Sequence, residues 1–252
     1  AYEIPLRLVG SEMCIRDRIT DREVPLYREI YGTEPERFHL LPPNIDRRTF
    51  SESDRESARL AKLAELGQAA DTTLLLMVGS GFRTKGVDRA IEGLAKLQST
   101  ESNKTQLVVV GHGKSDSYQR LARSLGVGDR VHMLGGRADV PEWMLAADLL
   151  VHPARNENTG TVLLEALANG LPLLVSDVCG YAFHIERANA GRLVPSPFSQ
   201  TQFNQLLQET VDSAELQQWS ANGLKYAAEE DLYSCHDKAC ELIEKFVAAK
   251  AR

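Results

Sequence analysis

Short apolar runs alternate with helical segments through the middle of this chain, and that alternation constrains the fold more than any other feature. The predicted strands cover residues 73–78, 106–110, 131–134, 148–152, 171–175 and 192–194, and the predicted helices cover about 87–98, 116–125, 140–146, 160–169 and 181–188. The central runs are apolar throughout, which indicates strands covered on both faces. Strands joined by helical crossovers predict an α/β fold with a Rossmann-like, doubly wound parallel sheet. Ligands bind beyond the carboxyl ends of such strands, so we expect function in the loops after residues 78, 110, 134, 152 and 175.

The segments on both sides of this sheet are predicted to be mostly helical. Helices at 19–31 and 53–66 precede it, with a short strand at 38–41 between them. Three more helices are expected at about 199–212, 214–228 and 232–247. Apolar stripes are Ala58, Leu60, Ala61, Leu63 and Ala64 in the second helix, and Ala239, Leu242, Ile243 and Phe246 in the last. We expect the last stripe to be exposed and to favour association.

Composition and charge narrow the class of protein. Of 252 residues, 43% are hydrophobic and 25% are charged, which is ordinary for a soluble globular protein. The net charge of −6 argues against a nucleic-acid partner. No apolar run approaches the ~18 residues of a membrane-spanning helix. The 4 cysteines form no Cys-x-x-Cys pair, which indicates reduced thiols in a cytoplasmic protein without a zinc site.

Two glycine-rich segments are similar to nucleotide-binding motifs but fail on spacing. Residues 111–115 end like a P-loop, but Val108 stands where the first glycine is required. Residues 79–84 begin like a dinucleotide fingerprint, but Thr84 stands where the third glycine is required. The chain also lacks an Asp-x-Asp pair and a His-Glu-x-x-His motif. The sequence therefore favours neither an NTPase nor a Rossmann dehydrogenase, and it predicts no metal site.

The loop after the first predicted strand carries residue types that suit a diphosphate. Gly79 lets the backbone approach a ligand, and Arg83 and Lys85 bring two cations to the start of a helix. Fixed backbone donors, mobile positive charge and the helix dipole all favour an anion there. The alternative is a solvated turn with both cations merely exposed.

The loop after the fourth predicted strand and the helix that follows it each carry an acidic residue of interest. Glu157 lies before a helix whose expected cap is Thr159 or Asn158, and Glu165 lies inside that helix. Apolar neighbours already fill the core positions, and carboxylates accept hydrogen bonds from sugar hydroxyls. The alternative is that acids near the start of a helix simply complement its dipole, a role for which Glu165 lies a little too far into the helix.

Three histidines on predicted strands are predicted to be structural, and no role is predicted for His184 or His236. The residues at 39, 132 and 152 fall on predicted strands with no nucleophile or carboxylate set beside them, so we expect satisfied core or strand-end side chains. His112 lies in a ligand-side loop, and either a structural or a functional role stays open for it.

The pair Glu157 and Glu165, after a strand that ends in His152-Pro153, together with Arg83 and Lys85-Gly86, resembles the donor-binding half of retaining GT-B glycosyltransferases of group 1, also called family four. The segments at 33–43, 85–89, 146–153, 178–182 and 197–200 are most similar to the lipopolysaccharide core glucosyltransferases of that family. The resemblance covers about 19–247 and implies the C-terminal domain of a GT-B fold with extra C-terminal helices.

The resemblance also implies roles for individual residues. Arg83 and Lys85 would bind the donor diphosphate and stabilise the leaving nucleotide, and Glu157 would contact the donor sugar. Glu165 would hold the ribose hydroxyls. The remaining implied contacts are Gly79, Gly111 and Gly113 beside the nucleotide, Arg137 and Ala138 bordering the base, and Asn158, Thr159, Gly160 and Thr161 as donors to sugar or phosphate. No cofactor and no metal are expected.

The implied function is retaining transfer from a UDP-sugar, UDP-glucose by subfamily, to a lipopolysaccharide core heptose. The expected division is a foreign or misjoined segment at 1–18, a remnant of the N-terminal domain and junction at 19–70, the donor-binding domain at 71–198, and helices at 199–252 that pack toward a missing half. Residues 10–18 resemble a translated sequencing-adapter peptide; the alternative is an ordinary loop and strand. The chain alone is expected to bind donor without transfer, and the full-length enzyme to associate peripherally with the inner membrane. A stand-alone nucleotide-sugar binding module and a GT-B-like sugar-nucleotide epimerase remain as alternatives.

Overall fold

The computed structural model of the protein describes residues 24–32, 34–97 and 104–250. These residues form two compact units. One contains the described residues up to Ile45 together with those from Asp231 onward, and the other is Asp46–Glu230. The expected foreign segment at 1–18 and the start of the predicted 19–31 helix lie outside the described residues.

The larger unit is built on a six-stranded, wholly parallel sheet, which confirms the predicted α/β class. Its strands are β1 (Thr73–Val78), β2 (Thr105–Val110), β3 (Val131–Gly135), β4 (Leu149–His152), β5 (Leu173–Ser176) and β6 (Gly191–Val194). The spatial order β3-β2-β1-β4-β5-β6 is doubly wound, and the direction of winding reverses between β1 and β4. Ligands bind such sheets at that reversal, beyond the carboxyl ends of the strands. The loops that follow β1 and β4 therefore face one crevice.

Most predicted helices are present, with shifted ends. In chain order the α-helices are α1 (Val24–Tyr31), α2 (Glu52–Leu66), α3 (Phe82–Lys85), α4 (Val87–Leu94), α5 (Asp116–Ser124), α6 (Val140–Ala146), α7 (Thr161–Ala168), α8 (Ala182–Ala188), α9 (Gln200–Val211), α10 (Leu216–Glu229) and α11 (Cys235–Lys250). The one-turn helix α3 was not predicted, because a four-residue segment is too short for a periodic pattern. Short 3-10 helices occur at Pro35–Arg37 and Gly128–Arg130.

The core of the larger unit lies on both faces of the central strands. Residues 74–77 of β1 and all of β2 are buried, as the continuous apolar runs predicted. On one face, Ile91 of α4 and Phe203 and Leu207 of α9 are fully buried against the sheet. Each such side chain stabilises the fold by roughly 1.5–3 kcal/mol relative to an exposed one. This packing fixes the sheet, and with it the positions of the loops at its carboxyl edge.

The predicted apolar stripe of α2 is partly wrong. Ala58 and Leu63 are buried, but Leu60 is 64% exposed and Lys62 is buried instead. Lys62 is buried because its ammonium pairs with Asp139 and lies 5.1 Å from the ring centroid of Trp143 in α6. A long aliphatic stem with a paired charge can thus take a core position. Helix α2 begins with a capping box at Ser51 and ends at Gly67, which is in the left-handed conformation.

The predicted strand at 38–41 is wrong. The segment after Pro35–Arg37 contains no strand among the described residues, and Leu40 is 42% exposed. An apolar segment becomes a strand only where a neighbouring strand accepts its backbone hydrogen bonds, and no strand of the described chain pairs with it. In the same unit, the N–H of Ile45 donates to the carbonyl of Leu232, and the ring of His39 packs edge-on against Phe246 of α11.

Helix α11 presents part of the expected apolar stripe to solvent. Ile243 is 45% exposed, whereas Leu242 and Phe246 are half-buried. Among the described residues, no helix is both long enough and apolar enough to cross a bilayer.

Candidate active site

Two loops meet at the carboxyl edge between β1 and β4. The first, residues 79–86, follows β1 and contains α3, and we call it the α3 loop; the second, residues 153–160, follows β4, and we call it the β4 loop. Gly86 makes their approach possible. Its φ is +75°, and a Cβ there would lie 2.1 Å from the carbonyl oxygen of Pro153. Any larger residue would push the two loops apart.

Arg155 of the β4 loop locks the two loops together. Its backbone N–H donates to the carbonyl of Thr84 at 2.8 Å, and its guanidinium donates to the carbonyl of Arg83 at 2.9 Å. The same guanidinium makes two hydrogen bonds, of 2.8 and 2.6 Å, to the carboxylate of Asp88 at the start of α4. Burial alone would raise the pKa of Asp88, but Arg155 holds it below its ordinary value. Bidentate geometry of this kind fixes orientation as well as distance.

Arg89 of α4 also holds the β4 loop, through hydrogen bonds to two of its backbone carbonyls. Its Nη1 donates to the carbonyls of Pro153 and Ala154 at 3.0 and 3.1 Å, while its guanidinium lies 3.6 Å from the ring centroid of Phe198. The far end of the loop is held by the turn that follows β5. Glu157 forms an isolated parallel bridge with Cys179, and the carbonyl of Thr159 accepts from the N–H of Tyr181 at 2.8 Å.

These restraints bring Lys85 and Glu157 into direct contact. The Nζ of Lys85 pairs with Oε2 of Glu157, and Nε2 of the fully buried His152 lies 3.3 Å from the same oxygen. The other oxygen, Oε1, has no hydrogen-bond partner within the part of the chain that the structure describes. Burial alone would raise the pKa of Glu157, but the hydrogen bonds from His152 and Lys85 lower it to about 2. Glu157 is therefore an anion and a hydrogen-bond acceptor at neutral pH, and cannot serve as a proton donor.

Glu165 lies in a separate part of the crevice, on the wall of a cavity of about 300 Å³. Burial raises the pKa of Glu165, the charge of Asp46 raises it further, and the charge of Arg48 opposes both. The amide oxygen of Asn169, also on the wall, is buried with no hydrogen-bond partner among the described residues. The lining residues are Asp46, Arg48, Val78, Val140, Pro141, Met144, Glu165, Ala168 and Asn169. An apolar cavity of this size with a few polar groups can hold a small ligand.

Arg83 and Arg137, two other predicted ligand contacts, are placed differently. Arg83 is exposed on α3, and its guanidinium makes no hydrogen bond or ion pair to any residue of 24–32, 34–97 or 104–250. The guanidinium of Arg137 is engaged, at 2.7 Å from Asp139 and 2.8 Å from Glu65, and these partners raise its pKa. The roles predicted for both arginines stay predictions.

The predicted glycines lie where chain segments approach closely. A Cβ at Gly111 would lie 2.2 Å from the carbonyl oxygen of Gly79, and one at Gly113 would lie 2.7 Å from the ring of Phe82. The loops after β1 and β2 are thus packed on each other. Gly79 itself supports the stem of Lys85, since a Cβ there would lie 3.1 Å from the Cε of that lysine.

The start of α7 corrects one prediction. Its cap is Gly160, with φ +84°, and not Thr159 or Asn158. The left-handed conformation that the chain adopts there disfavours a side chain at the cap. Asn158 and Thr161 are exposed at the crevice end of the loop and helix, and Ala138 is exposed after β3.

The prediction that His152 lacks a carboxylate neighbour is wrong. The β4 loop turns back, so that Glu157, five residues further along the chain, reaches the end of the strand from which the loop began. The five-residue spacing on a strand-end loop was the only signal for this contact. His132 is as predicted, because its Nε2 bonds Gln106 at 2.9 Å on the neighbouring strand.

Comparison with known proteins gives a consistent assignment. Residues 59–226 match the family described as glycosyl transferases group 1. Lipopolysaccharide glucosyltransferase WaaG of Escherichia coli (strain K12) is 44% identical over 227 residues, which are 89% of this chain and 60% of WaaG. A D-inositol 3-phosphate glycosyltransferase of Nocardiopsis dassonvillei is 34% identical over 204 residues, 75% of this chain and 47% of that protein. The chain thus spans about half to three fifths of the length of these relatives.

Solved structures agree on the fold. The crystal structure of WaaG superposes with a TM-score of 0.83 at 44% identity, covering 89% of this chain and 61% of WaaG. Anabaena HepE in complex with UDP-glucose superposes with a TM-score of 0.74 at 21% identity, covering 92% of this chain and 64% of HepE, which shows a shared fold alone. The Rossmann-like architecture is that of GT-B glycosyltransferases, and the protein belongs to the glycosyl transferases group 1 family.

Proposed function

We propose that this chain is the donor-binding half of a retaining glycosyltransferase that uses a UDP-sugar, UDP-glucose in particular. The observation that carries the proposal is the contact between Lys85 and Glu157 at the crevice between β1 and β4. The name of WaaG supports a glucosyl donor, and structures of HepE with UDP and with UDP-glucose support a nucleotide-sugar ligand for this fold. The cavity beside Glu165 would take the nucleoside.

In the proposed reaction, charge separates as the bond from the anomeric carbon to the diphosphate oxygen breaks. The ammonium of Lys85 stabilises the negative charge that grows on the diphosphate. The carboxylate of Glu157, ionised because its pKa is about 2, orients the sugar and offsets its growing positive charge. The acceptor oxygen bonds the anomeric carbon on the face that the diphosphate leaves, and its proton passes to the leaving diphosphate, so configuration is retained. Glu157 then acts as an orienting anion, and no bond to it is required.

The acceptor side belongs to the proposal as well. The acceptor that we propose is a lipopolysaccharide core heptose, and the name of WaaG supports lipopolysaccharide as its class. The acceptor site would lie on the part of the relatives that this chain does not cover. We expect residues 1–252 alone to bind donor without transferring sugar. We also propose a cytoplasmic place of action, with peripheral association of the enzyme at the inner membrane.

Calorimetric titration of the chain with UDP, UDP-glucose, UDP-galactose and ADP-glucose tests the donor assignment. We expect UDP-glucose to bind more tightly than ADP-glucose. Lys85→Ala should weaken UDP and UDP-glucose alike, by roughly tenfold to a hundredfold, because a charge-assisted contact to the diphosphate is lost. Glu157→Gln should weaken UDP-glucose more than UDP, because only the sugar reaches this carboxylate.

Glu186→Gln, which changes an exposed carboxylate on α8, is the matched control and should leave all affinities unchanged. If the unmodified chain bound none of the four ligands, or if Lys85→Ala bound UDP as tightly as the unmodified chain, the proposed donor site would be wrong.

A further inference from the structure

His152 is the last residue of β4, a strand that lies inside the sheet between β1 and β5. Its side chain is fully buried, and its backbone pairs in register with Val175 of β5. The imidazole is therefore attached to backbone that is hydrogen-bonded inside the sheet. Its Nε2 lies 3.3 Å from Oε2 of Glu157.

The second ring nitrogen determines which tautomer this contact requires. Nδ1 of His152 is buried, and it has no hydrogen-bond partner in the described part of the chain. A neutral imidazole carries one N–H. If that proton were on Nδ1, a buried donor would be left without an acceptor, and Nε2 would present a lone pair to an anion. With the proton on Nε2, the ring donates to Glu157, and the group left buried without a partner is the lone pair of Nδ1.

The two donors to Glu157 differ in how they respond to a ligand. Lys85 and His152 both meet Oε2, and Oε1 remains available to a sugar hydroxyl. Lys85 has a flexible four-carbon stem, and a bound diphosphate would attract its ammonium away from the carboxylate. His152 is fixed in the sheet and carries no such mobility. It can therefore keep the carboxylate in place once the diphosphate has bound.

We infer that His152 is a positioning residue whose Nε2–H holds the carboxylate of Glu157 in place for the donor sugar, independently of Lys85. This inference rests on the proposed function, since it takes the bound sugar to be the partner of Glu157. It acts through Glu157 and requires no contact between His152 and the ligand.

The tautomer can be measured on the unmodified chain without any ligand. Nitrogen-15 NMR of histidine-labelled protein at neutral pH should give His152 the Nε2–H form, and Glu157→Gln should shift its ring resonances. The Nδ1–H form would overturn the inference whether or not the chain binds a nucleotide sugar. Failure to bind any UDP ligand would instead count against the proposed function.

The binding test measures how much the sugar adds to the affinity for UDP. His152→Leu removes the donor while filling similar space, and we expect it to reduce the ratio of the UDP to the UDP-glucose dissociation constant roughly threefold to tenfold. The affinity for UDP itself should change much less. His152→Gln can place an amide N–H near the position of Nε2, and should recover part of the ratio.

His132→Leu is the matched control. His132 is also a strand histidine, and its side-chain hydrogen bond is made to Gln106 near the start of the neighbouring strand β2. It should leave the ratio unchanged. An unchanged ratio in folded His152→Leu, or equal losses in His152→Leu and His132→Leu, would show a merely structural role and overturn the inference.

Discussion

At the scale of single residues, the candidate site depends on a residue without a side chain. Lys85 and Glu157 are 72 positions apart in the chain, and they touch because Gly86 lets the α3 loop come against the backbone of Pro153. The charges alone would not bring the loops together, because the cost of removing both groups from water offsets much of their attraction in a part-buried pair. The charged groups therefore depend on the glycine for their geometry.

Gly86→Ala should accordingly damage both stability and binding. The new Cβ would meet a backbone atom at 2.1 Å in a left-handed conformation, and we expect a loss of about 2 kcal/mol or more in the free energy of unfolding. UDP-glucose affinity should fall with it, because Lys85 is displaced. Urea unfolding and calorimetry measure the two effects.

Gly126→Ala provides the matched control. Gly126 has φ +74°, nearly that of Gly86, but a Cβ there meets nothing within 4 Å. Gly126→Ala should lower the free energy of unfolding only by the cost of holding alanine in the left-handed conformation, about 1 kcal/mol. It should leave the affinity for UDP-glucose unchanged. Equal losses in the two variants would refute a steric role for Gly86.

At the scale of elements, α8 and α10 are joined by a buried histidine. Nδ1 of His184 and the hydroxyl of Tyr226 form a hydrogen bond of 2.7 Å, and the ring of Phe183 stacks on His184 at 4.1 Å between centroids. Burial, together with a smaller effect of the positive charge of Arg187, lowers the pKa of His184 from 6.5 to about 4. This contact holds α8, the helix that follows the turn on which the β4 loop is anchored.

The lowered pKa of His184 makes the free energy of unfolding of the larger unit depend on pH. Between about pH 6.5 and 4 the unfolded chain binds a proton at His184 that the folded chain does not, so this part of the stability is complete above pH 6.5 and declines as the pH falls. From pH 7.5 to 5 we expect a loss of about 2 kcal/mol from this group. His184→Phe should remove that component from the pH profile of urea unfolding. Tyr226→Phe keeps the imidazole and should retain the component; if His184→Phe also retained it, the assignment to His184 would fail.

At the scale of the whole molecule, metal independence is the prediction that most separates this site from metal-assisted transferases. Among the described residues, no group of three or more His, Cys, Asp or Glu side chains could hold a metal ion. In the site that we propose, Lys85 would supply the positive charge that the diphosphate needs. We therefore expect the dissociation constant for UDP-glucose to be the same in EDTA and in millimolar Mg²⁺. A marked gain in affinity with Mg²⁺ would contradict a lysine-based site.

Sequence patterns predicted the parts of the fold that depend on local order. The central strands, the parallel sheet and the loops carrying Lys85 and Glu157 follow from apolar runs and strand-end positions. The strand predicted at 38–41 and the place predicted for Leu60 in the apolar stripe of α2 were wrong. Both depend on which neighbouring segment is present to pack against. The lock between Arg155 and Asp88 and the contact between His152 and Glu157 could not be predicted, because each requires the path of a loop in space.

The central place of β1 has a consequence for how the protein folds. β1 pairs on one side with β2, the next strand along the chain. On its other side it pairs with β4, where Leu75 meets Leu149 across 74 positions of sequence. Such distant pairings are slow to form, because the intervening chain must first lose much of its freedom. The α3 loop and the β4 loop cannot approach before that pairing is made. Donor binding should therefore appear with the last phase of refolding, after most helical structure has returned.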